Sequence, residues 1–315
     1  MSILLVGAGY MAKEYAKVLN GMKLDYTVVG RSQESVNSFR EDIGKNALEG
    51  GLESVFSSLS NHYDYAIVAT TVESLENNTL FLINNGIKNI LVEKPAALSY
   101  EKMNEIAQKA NEKNVNVYIA YNRRFYASVL NAKKIIEQEG GLQSFLFEFT
   151  EWSHVVGKLN KTKEQLNNWF IGNSSHVLDT AFFFGGKPKE ISTFIQSKLD
   201  WHPKGSIYSG AGLTEENILF SYHANWTAPG SWKLELLTQK NRYIFRPFEK
   251  LHVQTLGSID VIEVPIDDLL DTQYKPGLFK QTESFLKITP LTKYLLNIKE
   301  GLELMKIYER INGGQ

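Results

Sequence analysis

The sequence predicts an α/β protein with two domains, the first a doubly wound parallel sheet and the second an α+β domain. Two observations support this: short β-branched runs alternate with amphipathic stretches up to about residue 120, and longer alternating segments follow. The chain has 315 residues, 43% of them hydrophobic and 22% charged. It is therefore long enough for two folded cores. We place the domain boundary between residues 121 and 122.

The first domain contains short apolar runs typical of strands covered on both faces, as in a parallel sheet. The stretches between them have the apolar spacing of helices. Strands are predicted at Ile3–Val6, Tyr26–Val29, Tyr65–Ala69, Ile90–Val92 and Val115–Ile119, and helices at Met11–Asn20, Glu73–Asn85 and Tyr100–Lys113. Such alternation is typical of doubly wound folds.

The second domain, residues 122–315, begins with a predicted helix at Ala127–Glu139 that ends at the Gly140-Gly141 pair. Alternating segments then predict a large open, mainly antiparallel sheet with one covered face. These segments are Leu142–Trp152, Glu190–Ser197, Ile218–Trp226, Ser231–Thr238 and Arg242–Phe245. A closing helix is predicted at about residues 291–311.

Composition excludes several classes of protein. The net charge of −1 does not favour nucleic acid as a partner. The absence of cysteine excludes disulfides and thiolate metal sites, and the histidines lack metal-ligand spacing. No apolar run reaches the roughly 18 residues of a membrane helix. The N-terminal apolar run lacks a basic segment and is broken at Gly7 and Gly9, so we reject a signal peptide and expect a cytoplasmic protein.

A glycine-rich turn follows the first predicted strand. Gly7-Ala8-Gly9-Tyr10-Met11-Ala12 fits G-x-G-x-x-G/A between a strand and a helix. Gly7 suits the tight turn, Gly9 the close approach of a pyrophosphate, and Ala12 the packing of the helix on the strand. A second G-x-G triplet, Gly210–Gly212, lies in a polar stretch, and we interpret it as structural. The first motif predicts a Rossmann dinucleotide site.

The end of the second strand bears on the choice of cofactor. Val28-Val29-Gly30-Arg31-Ser32 lacks the carboxylate that commonly accepts from the ribose 2′-hydroxyl of NAD. Arg31 could instead make a forked contact to a 2′-phosphate, and Ser32 could donate to it. The alternative is a solvated Arg31 and a Ser32 that caps the next helix. We expect NADP(H) to be preferred over NAD(H).

Glu93-Lys94-Pro95 follows the strand Ile90–Val92, at the sheet edge where such folds bind ligands. The ammonium of Lys94 could donate to a substrate oxygen, with Pro95 fixing the turn that presents it. We also expect Glu93, Lys94 and Pro95 to contact the cofactor. A lysine at a strand end is alternatively a plain surface charge.

Taken together, the motifs resemble one family. The phosphate loop, Glu93-Lys94-Pro95, Asn122-Arg123-Arg124-Phe125 and Ser175-His176-Val177-Leu178-Asp179 occur in this order. The chain in this respect resembles the glucose–fructose oxidoreductase / inositol dehydrogenase / MocA (Gfo/Idh/MocA) family. Arg246-Pro247-Phe248-Glu249-Lys250-Leu251 and Tyr274-Lys275-Pro276-Gly277 extend the resemblance over nearly the whole chain.

The resemblance implies hydride transfer between a nicotinamide and a hydroxyl or ketone carbon of a sugar, nucleotide-sugar or cyclitol. It implies that Lys94 orients the reacting oxygen, that His176 exchanges the proton, and that Thr70 and Thr71 line the cofactor. A neutral imidazole suits proton exchange near pH 7. On a helix, Asn173, His176 and Asp179 share one face, and we expect all three to contact the substrate. Asp179 could orient the imidazole or merely satisfy a buried polar helix.

One departure concerns the position four residues before His176, where many members have Asp and this chain has Gly172. It leaves open a reductase, including one of a non-sugar carbonyl or imine, and a catalytically inactive NADP(H)-binding sensor or assembly protein. We predict further substrate contacts from Arg123, which binds a phosphate or carboxylate or else pins the domains together, and from Trp152 and Trp169. The resemblance also implies a homodimer or homotetramer formed through the open sheet face.

Overall fold

Two compact units divide the chain in the computed structural model, which describes residues 1–59, 62–287 and 289–314. The first unit consists of residues 1–122 and 270–303, and the second of residues 123–269 and 304–315. The first crossing lies within one residue of the predicted boundary. The later return to the first unit differs from the prediction of a single division.

The first unit is built around parallel strands in the spatial order β5-β4-β3-β1-β2, with every residue of β1 buried. The order reverses beside β1, the position where such sheets form a ligand crevice. The strands are β1 (Ile3–Val6), β2 (Thr27–Val29), β3 (Tyr65–Val68), β4 (Asn89–Glu93) and β5 (Asn116–Ala120). The helices are α1 (Tyr10–Gly21), α2 (Gln33–Ile43), α3 (Leu52–Phe56), α4 (Leu75–Asn84) and α5 (Tyr100–Lys113).

The second unit contains an eight-stranded sheet in the order β13-β12-β11-β10-β6-β9-β8-β7. All neighbouring pairs are antiparallel except β6 with β9. The helices are α6 (Ala127–Gln138), α7 (Ser153–Val156), α8 (Lys163–Asn167) and α9 (Ser175–Gly185). The strands are β6 (Ser144–Phe149), β7 (Pro188–Gln196), β8 (Ile207–Thr214), β9 (Leu219–Asn225), β10 (Trp232–Leu237), β11 (Asn241–Phe245), β12 (His252–Thr255) and β13 (Ile262–Glu263).

Aromatic side chains form much of the core of the second unit. Phe145, Phe147 and Phe149 alternate along β6 and point to its buried face. Phe182 on α9 meets Phe145 and Phe147 edge to face, with ring centroids 6.2 and 5.7 Å away. The helix thereby covers one face of the sheet, and the predicted fold class is confirmed.

The return segment runs through α10 (Leu269–Gln273), α11 (Leu278–Leu286), a 3₁₀ turn at Pro290–Tyr294, β14 (Leu296–Asn297) and α12 (Ile298–Ile311). β14 joins the sheet of the first unit antiparallel to β5. Phe285 packs edge to face on Tyr65 and Tyr118. The closing helix therefore begins at Ile298 and not at about residue 291. In the described part of the chain, no helix is long and apolar enough to span a membrane.

Candidate functional site

The glycine loop between β1 and α1 is closed on one side and open on the other. Gly7 has φ +123°, and its N–H donates to the carbonyl of Val29 at 2.8 Å. A Cβ at Gly7 would lie 2.3 Å from the carbonyl oxygen of Ala69, whereas a Cβ at Gly9 would meet nothing within 4 Å. The loop is thus held against the sheet at Gly7 and leaves a cradle beside Gly9.

Helix α1 begins directly after this cradle. Gly9 is its N-cap residue, and no side chain caps the helix. Tyr10 is exposed, Met11 is half-buried and Ala12 is fully buried. The free N–H groups at the start of a helix and the helix dipole favour an anion, so these residues fit the pyrophosphate of a dinucleotide.

The end of β2 carries the residues predicted to choose between NAD(H) and NADP(H). Gly30 is buried, and a Cβ there would lie 2.6 Å from a side-chain carbon of Val36. Arg31 is exposed and has no hydrogen bond or ion pair with a described residue. Ser32 is the N-cap of α2, and its Oγ accepts from the N–H of Ser35. The capping role considered for Ser32 is therefore observed, while the guanidinium of Arg31 is available to a ligand.

Thr70 and Thr71 follow β3 at the same edge of the parallel sheet. Asn78 donates to Thr70 Oγ1 at 3.3 Å, and Thr71 Oγ1 lies 3.1 Å from Ser74 Oγ. These contacts fix the turn that borders the glycine loop.

Glu93 ends β4 as a buried carboxylate. Its Oε1 accepts from the hydroxyl of Tyr15 on α1 at 2.9 Å, and that hydroxyl lies 3.4 Å from Gln281 Oε1 on α11. Burial raises the pKa of Glu93, and the nearby Lys94, Tyr15 and Lys275 lower it in part. Burial also raises the pKa of Tyr15 well above its ordinary value. The hydroxyl of Tyr15 therefore links β4, α1 and α11, and the observed partner of Glu93 is this tyrosine, which differs from the predicted contact to cofactor.

Lys94 and Pro95 come directly after Glu93, with Lys94 half-buried and Pro95 buried. Because β1, β3 and β4 are parallel neighbours, Lys94 lies at the same carboxyl edge as the glycine loop. The structure adds Lys275, whose Nζ lies 5.3 Å from the ring centroid of Tyr10. Lys275 belongs to the motif Tyr274-Lys275-Pro276-Gly277, for which the sequence analysis predicts no role.

His176 stands at the start of α9 in the second unit, directly after a π-helical turn at Phe170–Ser174. Single π turns are frequent at functional positions. The imidazole is 8% exposed, and its centroid is 6.3 Å from the ring of Trp232.

Asp179 lies one turn further along α9 and is fully buried. Its two carboxylate oxygens accept from Arg124, at 2.8 Å from Nε and 2.6 Å from a terminal nitrogen. A buried carboxylate requires such a partner. Because no part of Asp179 reaches the surface, its predicted contact with substrate is not supported, and its clear role is to fix Arg124.

Glu151 is a buried acid near His176 in the chain's second unit that the sequence analysis did not predict as a site residue. It follows β6, is 6% exposed, and accepts from Asn173 Nδ2 at 3.0 Å and Ser174 Oγ at 2.7 Å. Burial raises its pKa, while the hydrogen bond from Ser174 opposes the rise most among its donors. Glu151 thus anchors the turn before His176. In the sequence Glu151 is only an acid near the end of the predicted strand Leu142–Trp152. The departure that the sequence shows is at Gly172, where an added Cβ would meet nothing within 4 Å.

Two cavities of the second unit share Ser231 and Trp232. One of about 280 Å³ is also lined by Glu151 and Trp152, and one of about 260 Å³ by Arg123 and Arg246. Trp152 is 58% exposed, with its indole nitrogen donating to Gly230. Trp169 is half-buried next to the π turn. In the portions of the chain described above, no cluster of histidine and acidic residues could hold a metal ion.

The glycine cradle, the helix N-terminus and the lysine at the same sheet edge are the features of a dinucleotide-binding Rossmann domain. Residues 1–121 match the model of the GFO_IDH_MocA family, described as an oxidoreductase family with an NAD-binding Rossmann fold. Over these residues the match confirms the resemblance inferred from the motifs.

Curated relatives match part of the chain. An uncharacterized oxidoreductase of Streptococcus pneumoniae is 25% identical over 193 residues, which cover 60% of this chain and 51% of the relative. A 2,7-anhydro-N-acetylneuraminate hydratase of Escherichia coli is 25% identical over 222 residues, which cover 69% and 56%. The chain thus spans about half the length of these relatives.

Solved structures match nearly the whole fold. Levoglucosan dehydrogenase in complex with NADH and L-sorbose has a TM-score of 0.79 and 16% identity, covering 99% of this chain and 95% of that one. At this identity the likeness concerns the fold.

Proposed function

We propose that the protein is an oxidoreductase that transfers hydride between NADP(H) and a hydroxyl or ketone carbon of a sugar, nucleotide-sugar or cyclitol. The observation that carries the proposal is the cradle beside Gly9, with Lys94 at the same sheet edge. The family of residues 1–121 supports a nicotinamide cofactor. The names of the hydratase relative and of levoglucosan dehydrogenase support a sugar-like substrate.

The preference for NADP(H) is proposed from Arg31. This exposed arginine follows β2 where a carboxylate would accept from a 2′-hydroxyl, and it has no partner among the described residues. Fluorescence titration with NADPH and NADH side by side tests it. We expect NADPH to bind at least tenfold more tightly, about 1.4 kcal/mol, and Arg31→Ala to remove most of that difference. Equal binding of both by the unaltered protein would refute the preference.

The bound nicotinamide supplies or accepts the hydride. A hydride leaving carbon requires the hydroxyl proton to leave as well. We propose that the ammonium of Lys94 donates a hydrogen bond to the reacting oxygen and that the imidazole of His176 takes or returns the proton. Glu151 supports His176 by holding Asn173 and Ser174 in the turn before it. The low exposure of the imidazole excludes most water from this exchange.

The test is a pair of variants with matched controls. Lys94→Ala and His176→Ala should retain NADPH binding and lose at least a hundredfold in kcat, the usual effect of removing a proton-transfer group. Lys88→Ala, at the amino end of the same strand, and His223→Ala, on the exposed side of β9, should keep full activity. Full activity of both active-site variants would refute the mechanism.

A second candidate is a protein that binds NADP(H) without catalysis, which Gly172 favours because no carboxylate side chain stands at that position. It predicts tight NADPH binding and no turnover over a panel of ketones, aldehydes, imines and polyols. Turnover of any of these at a rate that depends on His176 would exclude it.

A further inference from the structure

Two neighbouring arginines in the second unit have opposite surroundings. The guanidinium of Arg124 forms an ion pair with the buried carboxylate of Asp179. Arg123 makes no hydrogen bond or ion pair with a described residue, and its buried Nε has no acceptor there. Since a guanidinium carries five N–H donors and desolvating them without acceptors is costly, Arg123 is suited to an anion from outside the chain.

Aromatic rings hold Arg123 without using its donors. The guanidinium carbon lies 4.5 Å from the ring centroid of Trp232, 5.7 Å from that of Tyr126 and 5.8 Å from that of Phe248. Contacts through the face of a guanidinium leave its N–H edge available for a forked hydrogen bond. The packing therefore pre-organises Arg123 for a planar or tetrahedral oxyanion.

The cavity of about 260 Å³ supplies further groups. The exposed Arg246 adds a second cation, and the buried Oγ of Ser231 has no hydrogen-bond partner within the described residues. The exposed Glu249 also lines the cavity, so the site carries one net positive charge. In the adjoining cavity Glu151 contributes a buried carboxyl group.

We propose that the Arg123–Arg246 cavity binds an acid group of the substrate, so that the substrate is a sugar bearing a carboxylate or a phosphate. The inference rests on the proposed function for the identity of the ligand as substrate. Arg123 and Arg246 take the oxyanion in charge-assisted hydrogen bonds, and Ser231 donates to it. In the adjoining cavity the carboxyl group of Glu151 offers hydrogen bonds to hydroxyls, which orients the molecule with its acid group toward Arg123.

Calorimetric titration of the full chain, with and without NADPH, tests this proposal. The probes are D-glucuronate, D-glucose 6-phosphate and neutral D-glucose. We expect at least one acid probe to bind tenfold or more tightly than glucose. That advantage should vanish in Arg123→Gln and in Arg246→Gln, and should remain in Arg40→Gln, an exposed arginine of α2. A stronger response to glucuronate identifies a carboxylate, and one to glucose 6-phosphate identifies a phosphate.

Arg246→Gln keeps the test decisive if Arg123→Gln does not fold, because Arg246 is exposed and its replacement leaves the aromatic packing around Arg123 intact. Equal binding of acid and neutral probes by the unaltered protein would overturn the proposal, as would an acid preference that survives in Arg246→Gln. The NADPH titration on the same sample separates the two ideas. Binding of NADPH without acid preference refutes this inference alone, and acid preference without NADPH binding refutes the proposed function alone.

Discussion

Alanine at Gly7 and alanine at Gly9 should separate the two roles of the glycine loop. Gly7 has φ +123°, and an added Cβ would lie 2.3 Å from the backbone oxygen of Ala69. Gly9 has φ −84° and ψ −168°, which an L-residue adopts readily, and an added Cβ would meet nothing within 4 Å. The same chemical change is therefore expected to damage folding at one position and ligand binding at the other.

The magnitudes follow from these geometries. At Gly7, forcing a side chain into a region reserved for glycine costs about 1–3 kcal/mol. Displacing the Ala69 carbonyl adds about 1–3 kcal/mol of overpacking. We expect Gly7→Ala to lower the free energy of unfolding by about 2–6 kcal/mol. At Gly9 the change in stability should stay within about 0.5 kcal/mol. Its methyl group fills the cradle, so NADPH affinity should fall at least tenfold, about 1.4 kcal/mol.

Urea unfolding followed by circular dichroism, with NADPH fluorescence titration on the same samples, measures both effects. The geometry would be refuted if Gly7→Ala unfolded at the urea concentration of the unaltered protein. If Gly9→Ala bound NADPH with unchanged affinity, the cradle would not be the pyrophosphate site. Gly44→Ala, at the end of α2, is a further control, since it combines a positive φ of 75° with open space. It should show the strain cost without the loss of NADPH binding.

Three further outcomes are expected. Tyr15→Phe removes the donor to buried Glu93 and should cost about 1–3 kcal/mol in urea unfolding; an unchanged midpoint would contradict the importance of this hydrogen bond. Because burial raises the pKa of Glu151, its stabilising contribution is present below its ordinary pKa and is lost as the pH rises through the raised value. The stability of Glu151→Gln relative to the unaltered protein should therefore increase from pH 4 to pH 8, and a flat difference would contradict the raised pKa. Gly172→Asp should fold normally, and if the mechanism at His176 is right it should alter the pH profile of kcat rather than NADPH affinity.

The first unit could be predicted largely from its sequence, because its strands are short, continuous, β-branched runs that a buried parallel sheet requires. The bounds of these strands in the structure differ from the predicted ones by at most one residue. Strand β8 could not be found in this way. Gly210 and Gly212 dilute its pattern, yet added Cβ atoms there would lie 2.4 and 2.2 Å from backbone oxygens of β7. Close approach of two strands selects glycine at these positions, and the signal resembles a loop.

The remaining misses are long-range contacts. Glu151 meets Asn173 and Ser174, and Arg124 meets Asp179 55 residues away; no local periodicity reveals such pairs. His176 and Asp179 lie on α9, whereas Asn173 lies in the π-helical turn before it. The spacing of the three residues gave no information about which partner each side chain would find. Likewise, β14 contributes only two residues to its sheet, too few for a strand pattern.

The return segment is synthesised late, and this affects how the first unit folds. β5 ends at Ala120, and β14, which pairs with it, is synthesised only after the entire main part of the second unit. Until Leu296 and Asn297 emerge, β5 is an edge strand with unpaired backbone groups, and such edges invite association between chains. A fragment ending at residue 121 would also lack Gln281, the third member of the buried Tyr15–Glu93 cluster. The family-matched segment is therefore expected to fold poorly on its own, and the first unit should fold independently only when residues 270–303 are joined to it.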